Sequence, residues 1–182
     1  MNIGIGCCGF KKGIDRFVPL VMMITKGIIP FELVIKNIEV DGIDATDKII
    51  EILSERKIDK GVIMARSVPI AGFNIIDANR IFNEVHIPTI FILERKPNMD
   101  LVRSALQKHF QDWKERLTVL ESIKIEEIET LKGKFIIGYV GISISDVKKI
   151  IETTTIFGKI PEPLRLARII AKSLTNIIRN SM

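Results

Sequence analysis

The chain has 182 residues, of which 47% are hydrophobic, and this is enough for one domain with a substantial core. Its net charge of +5 permits phosphate binding without requiring it. The two cysteines, Cys7 and Cys8, are adjacent, which excludes a secreted disulfide framework, and no apolar run is long enough to span a bilayer. We therefore expect a cytoplasmic protein that does not associate with membranes.

The first half of the chain predicts a sheet with helical crossovers. Three apolar or alternating runs predict an antiparallel meander, and two later strands each follow a predicted helix. The first helix begins near Asp44, and the second covers residues 74–85. The five strands are predicted at residues 1–6, 17–25, 31–40, 61–65 and 86–93.

Beyond Pro97 the chain is predicted to be mostly helical, with one more strand candidate at residues 135–140. We expect a single domain over residues 1–182, in which residues 1–95 form the sheet core and residues 96–182 form a mostly helical extension packed on it.

Three antiparallel strands followed by two helix-linked parallel strands predict an α/β fold of the ribonuclease H-like type. Its mixed five-stranded sheet has the order 3-2-1-4-5 and is flanked by helices. Strands 1, 3, 4 and 5 run in the same direction, so their carboxyl ends lie at one edge, where open α/β sheets commonly bind ligands.

The stretches at these four strand ends are distinctive. They cover residues 3–10, 40–46, 63–74 and 93–97. Together with residues 105–116 and 158–167, they resemble an archaeal family of uncharacterised proteins related in fold to endonuclease V. The resemblance implies a ribonuclease H-like, endonuclease V-like fold, and it does not imply a known substrate.

The chain departs from that family at its acidic positions. The family normally reads Gly-Ile-Asp-Asp in the first stretch and Asp-Gly before the Gly-Phe-Asn of the third. Gly6, Cys7 and Arg66 stand in the places of those acids. Gly6 contributes no side chain, and the Arg66 cation would repel magnesium but could attract a phosphate or pair with Asp41.

Nucleases of this fold hold two divalent ions about 3.5–4 Å apart between converging carboxylates. The candidate catalytic and metal-binding residues that remain are Asp41 and Asp44, with Asp77 and Glu94 farther off. Too few acids converge, so we expect no metal or other cofactor, and we lean toward a protein that is not an enzyme. Mg²⁺ or Mn²⁺ would be the cofactor of the alternative, an active nuclease that uses Asp41 and Asp44.

A second set of residues predicts phosphate binding. Asn74 is predicted to cap the helix that follows it, and the backbone amides after Asn74 could receive an anion. We predict that Cys7 and Cys8 are small, partly buried residues and that Trp113 packs in the core or between helices. The predicted substrate-binding residues are Arg66, Asn74, Lys11, Lys12, Arg95 and Lys96.

The leading hypothesis is a catalytically impaired endonuclease V-like protein that binds nucleic acid or a partner through its basic strand-end surface. The alternatives are the active magnesium-dependent nuclease and a structural or regulatory subunit that does not bind nucleic acid. A homodimer is the expected oligomeric state.

Overall fold

A computed structural model describes residues 1–7 and 9–180 of the chain, and nine strands and six helices lie in that part. The strands are β1 Asn2–Cys7, β2 Phe17–Lys26, β3 Ile29–Glu39, β4 Val62–Ala65, β5 Pro69–Ile70, β6 Asn74–Ile75, β7 Thr89–Leu93, β8 Ile125–Thr130 and β9 Gly133–Val140. The helices are α1 Ala45–Glu55, α2 Ala78–Val85, α3 Met99–His109, α4 Trp113–Ser122, α5 Ile144–Thr154 and α6 Glu162–Asn180.

Seven of these strands form one mixed sheet in the order β3-β2-β1-β4-β7-β9-β8. The predicted order 3-2-1-4-5 is confirmed, because the predicted fifth strand is β7. The sheet is larger than the five strands predicted, since the antiparallel pair β9 and β8 extends it beyond β7. The strand candidate at residues 135–140 is confirmed within β9, whereas β8 was not predicted.

The region around residue 74 differs from the prediction of a helix over residues 74–85. Asn74 and Ile75 form β6, which pairs antiparallel with β5 in a small separate hairpin. Helix α2 begins later, and Asp77 caps it by accepting a hydrogen bond from the backbone N–H of Arg80 at 3.0 Å. Asp77, predicted inside the helix, therefore lies at its N-terminus.

Helices cover both faces of the sheet. On one face, α1, α2, α3 and α4 bury the main core, which includes the isoleucines of β1. On the other face, α5 shares a core with β4, β7, β8 and β9, while α6 packs over β1 and β2. Within residues 1–7 and 9–180, none of the helices has the length and apolar character needed to cross a membrane.

Helix α6 lies directly on β1 because that strand presents glycine to it. A Cβ atom placed on Gly4 would overlap the backbone of Pro163, and one placed on Gly6 would overlap the backbone of Ala167. Ile3 and Ile5 alternate with these glycines and point into the opposite core, where both are buried. The Gly-Ile-Gly pattern thus sets how closely the helix approaches the strand.

Candidate functional site

The carboxyl ends of β1, β3, β4 and β7 lie at one edge of the sheet, as predicted. β1 pairs antiparallel with β2, which pairs antiparallel with β3, and β1, β4 and β7 are parallel. Because Gly4 is in register with Met64, Gly6 and Arg66 come to the same point of that edge. The sequence correctly predicted this juxtaposition.

The two first-strand positions that differ from the family lie on opposite faces of the sheet. Gly6 faces α6, where the backbone of Ala167 and Arg168 occupies the space that a side chain would need. Cys7 is half-buried against the main core on the other face. Residue 6 therefore serves helix packing in this chain.

Asp41 joins the end of β3 to the β5–β6 hairpin. Its backbone is left-handed, with φ of 59°, and its N–H donates to the carbonyl of Ala71 at 2.8 Å. Its carboxylate accepts the backbone N–H of Phe73 at 2.8 Å and packs against Gly72, where a Cβ atom would collide with it. These contacts give Asp41 a structural role in holding the hairpin.

Asp44 and Asn74 form a second structural link. Each oxygen of the Asp44 carboxylate accepts from the backbone N–H of Glu39, at 3.1 and 3.3 Å, and one also accepts from Asn74 Nδ2 at 2.6 Å. The fully buried Asn74 accepts from the N–H of Ala45 at 2.9 Å and donates to the Glu39 carbonyl at 2.8 Å. Asn74 therefore caps α1, so its prediction as the cap of the following helix was wrong, and it is not part of the exposed surface.

Arg116 is a buried cation that was not among the site residues predicted from the sequence. It is 8% exposed, donates to both carboxylate oxygens of Asp112 at 2.9 and 3.0 Å, and thereby lowers the pKa of Asp112. It also donates to the carbonyls of Gly42 at 3.0 Å and Phe73 at 2.6 Å. The four-residue spacing from Asp112 was the available signal, since such pairs meet on a helix.

The remaining acids do not fit the pair of divalent ions that the fold implies. Asp41 and Asp44 are bonded to backbone N–H groups, and the carboxylate of Glu94 is paired with Arg66. Across residues 1–7 and 9–180, no cluster of three or more His, Cys, Asp and Glu side chains could hold a metal ion. A two-metal site needs several oxygen ligands that converge, and this edge presents a cation in their place.

Arg66 follows β4, and its side chain is 20% exposed. It pairs with the exposed Glu94, which follows β7. Burial of the guanidinium and the positive charge of Arg168 lower the pKa of Arg66 from its usual value. Both causes act on a group that stays protonated at neutral pH, so Arg66 is a permanent and poorly hydrated cation.

Two clefts open beside Arg66 at the strand ends, and we call their lining the strand-end surface. The larger, of about 710 Å³, has apolar lining residues that include Phe73, Met99 and Val102. The smaller measures about 370 Å³. Six cations and two carboxylates line the two clefts: Arg66, Arg95, Lys96, Arg168, Lys134 and Lys159, with Glu94 and Glu127.

The structure therefore brings together only part of the predicted binding set. Arg66, Arg95 and Lys96 share the larger cleft, and Arg168 joins them from α6. Lys11 and Lys12 are exposed in the loop after β1 and line neither of these clefts. Trp113 packs half-buried against the main core, as predicted.

Comparison with known proteins shows the family to which the chain belongs. The family model described as Endonuclease dU matches residues 3–175. A UPF0215 protein of Pyrococcus horikoshii is 36% identical over 171 residues, which cover 93% of this chain and 88% of that protein.

Solved structures agree with the fold. A protein of unknown function from Archaeoglobus fulgidus superposes with a TM-score of 0.81 and 27% identity, covering 94% of this chain and 96% of that one. Endonuclease V of Ciona intestinalis, in complex with a 24mer DNA containing an inosine followed by a ribo-adenosine, superposes with a TM-score of 0.62 and 12% identity. That match covers 97% of this chain and 86% of the endonuclease, and it shows a shared fold alone.

Proposed function

Because this chain belongs to the Endonuclease dU family, whose model matches residues 3–175, we propose that it is an endonuclease V-like protein that binds nucleic acid through the strand-end surface. We propose further that metal-dependent cleavage is impaired. The observation that carries both parts is the half-buried Arg66 cation at the strand-end edge, where nucleases of this fold place carboxylates around metal ions.

The charge of the strand-end surface supports contact with phosphates. Its six cations outnumber its two carboxylates, and Arg168 lies close enough to Arg66 for its positive charge to act on the guanidinium of Arg66. A guanidinium can donate two parallel hydrogen bonds to a phosphate, which makes arginine well suited to such a site. A phosphate bound here would compete with Glu94 for Arg66.

The apolar lining of the larger cleft supports single-stranded rather than fully paired nucleic acid. Phe73 is one of these lining residues, and its ring meets that of Phe110 edge-on, with ring centroids 5.6 Å apart. Apolar and aromatic side chains next to cations suit an unstacked base whose phosphates lie at the rim. Binding of this kind needs no metal or other cofactor.

A salt titration of a fluorescently labelled single strand tests the proposal. We expect affinity to fall with salt at a slope of about −0.7 per phosphate contacted, hence about −2 for three contacts. Arg66→Ala combined with Lys96→Ala should weaken binding about 10- to 100-fold, the loss expected for hydrogen bonds to charged groups. The effect should be similar for all sequences, since phosphate contacts do not specify bases.

Lys11→Ala combined with Lys12→Ala is the matched control, because it removes the same amount of charge from a loop outside the clefts. A loss in the control equal to that of the cleft variant would indicate diffuse attraction to a basic protein. No binding at low salt would favour the structural or regulatory alternative.

Cleavage is tested separately with Mg²⁺ or Mn²⁺, on DNA containing deoxyuridine or deoxyinosine and on single-stranded RNA. We expect no appreciable cutting. Asp41→Asn is the informative variant, since its amide oxygen can still accept from Phe73 while the charge is removed. Robust cutting by the native chain that Asp41→Asn abolishes would establish the active-nuclease alternative.

A further inference from the structure

The sheet ends on one side in β3, and this edge strand carries an uncovered apolar row. Phe31, Leu33 and Ile35 are 56%, 42% and 43% exposed. Leu33 pairs with Met23 and Ile35 with Val21, so these two side chains lie on the α6 face of the sheet. Helix α6 covers Met23 and Val21 and leaves the β3 row open.

The backbone of the same row points away from the sheet. The N–H of Val40 donates to the carbonyl of Arg16, which makes this a hydrogen-bonded antiparallel pair. Such pairs recur at every second residue, so even-numbered residues of β3 bond to β2. The N–H and C=O groups of Leu33, Ile35 and Asn37 therefore face outward, ready to pair with another strand.

The two edges of the sheet differ in how they are protected. At the far edge, β8 carries Glu126, Glu127 and Glu129, and like charges oppose pairing with another copy of that strand. Pro30 and a bulge protect one end of β3: the register shifts from the Ile24–Glu32 pair to the Thr25–Pro30 pair, so Phe31 is the extra residue. Residues 31–37 hold no proline, and their two charges are of opposite sign.

We propose that a second copy of this chain pairs antiparallel with β3, centred on Val34, so that one sheet continues across a twofold axis. In this register Leu33 faces Ile35 of the second copy in a hydrogen-bonded pair, and the same contact recurs across the axis. Glu32 then faces Lys36 of the second copy, again twice. The strand is complementary to itself in apolar contact, in charge and in backbone polarity.

The charges select this register over its neighbours. Centring on Leu33 places Glu32 opposite Val34, and centring on Ile35 places Glu32 opposite Ile38, so neither pairs the charges. Within one copy, Glu32 binds Arg56 at 3.1 Å and Lys36 binds Glu51 at 2.8 Å. The cross-copy contact therefore joins two existing surface networks without leaving a charge unpaired.

Sedimentation velocity on the full chain tests the dimer. We expect a dimer for the native chain at about 100 µM. Leu33→Lys combined with Ile35→Lys places lysines opposite each other, and it should weaken the dimer at least about 100-fold. Leu131→Lys combined with Phe157→Lys is the control, because both residues are exposed apolar side chains outside β3, and it should leave the dimer intact. A monomeric native chain, or a dimer that survives the β3 variant, would overturn the proposal.

Cysteine cross-linking tests the register independently of stability. Leu33→Cys combined with Ile35→Cys should form a disulfide-linked dimer on mild oxidation, because hydrogen-bonded antiparallel pairs hold their Cα atoms about 5.5 Å apart, within disulfide range. Leu33→Cys alone should not cross-link, since its counterpart is displaced by two residues. Cross-linking by Leu33→Cys alone would refute the register, and the native chain under the same oxidation shows any background from Cys7 and Cys8.

Discussion

Substitution of Gly6 is the sharpest test of how the strand-end edge is built. A Cβ atom at residue 6 would overlap the carbonyl group of Ala167 and the backbone nitrogen of Arg168. These are helix backbone atoms and cannot rotate away, so α6 must lift from β1. That movement would loosen the packing of Ala167 and Ala171 over Val21 and Met23.

We expect Gly6→Ala to destabilise the fold by about 3 kcal/mol, the upper part of the range for overpacking, because backbone rather than side chain has to move. For a chain of this size each kcal/mol lowers the Tm by about 2–4 °C, so the Tm should fall by about 6–12 °C. Gly6→Asp should cost more, since a carboxylate would be buried without a partner. Restoring the family's acid at this position should therefore damage the fold before it could create a metal site.

The assay is thermal unfolding followed by circular dichroism, with Gly9→Ala as the matched control. A Cβ atom on Gly9 meets nothing within 4 Å, so that variant should keep the native Tm. If Gly6→Ala unfolds within about 2 °C of the native chain, α6 is free to shift and the reasoning about residue 6 fails.

Three further outcomes are expected. Arg116→Ala should lower the free energy of unfolding by about 3 kcal/mol in urea denaturation, because the carbonyls of Gly42 and Phe73 and the carboxylate of Asp112 lose their donor. Asn74→Ala should cost about 2 kcal/mol in the same assay, since the first turn of α1 loses its cap. Lys36, then Lys48, lowers the pKa of Glu51 from 4.5 to about 2. The stabilisation from this ionised carboxylate is therefore present above pH 4.5 and is lost as the pH falls toward 2, and Glu51→Gln should flatten the fall in stability over that window.

The parts of the fold that follow from local pattern could be predicted. The β1–β2–β3 meander and the strand-helix units after it depend on alternation and helical spacing over short stretches. Strand β8 was not predicted, because its apolar residues Ile125 and Ile128 are three positions apart among glutamates, and this spacing is more typical of a helix. Its place in the sheet depends on pairing with β9, which residues 125–130 do not encode alone.

The candidate site could likewise be predicted only where it depends on local pattern and strand register. Register along parallel strands was enough to bring Gly6 and Arg66 to one edge. The role of Asn74 could not be predicted from local pattern, because the N–H group that it caps lies 29 residues earlier in the chain. Arg116 likewise reaches the carbonyl of Gly42 across 74 residues, and only its local partner Asp112 is visible in the sequence. Contacts between elements that are distant in the sequence decide these roles.

The chemistry of Arg66 separates binding from cleavage at this edge. In a two-metal nuclease the ions neutralise the phosphate and also generate the attacking hydroxide. A guanidinium can supply the first of these functions, because its donors match two phosphate oxygens. It cannot supply the second, since it has no acceptor lone pair and stays protonated. The nearest carboxylate, Glu94, is held by Arg66 itself, so the cation that favours a bound phosphate also occupies the neighbouring base. On this argument Glu94→Gln should strengthen oligonucleotide binding by freeing Arg66, while Glu84→Gln, which removes the partner of Arg80 on α2 outside both clefts, should not. Fluorescence anisotropy of the two variants compares them directly, and equal affinities would show that Glu94 does not compete with phosphate.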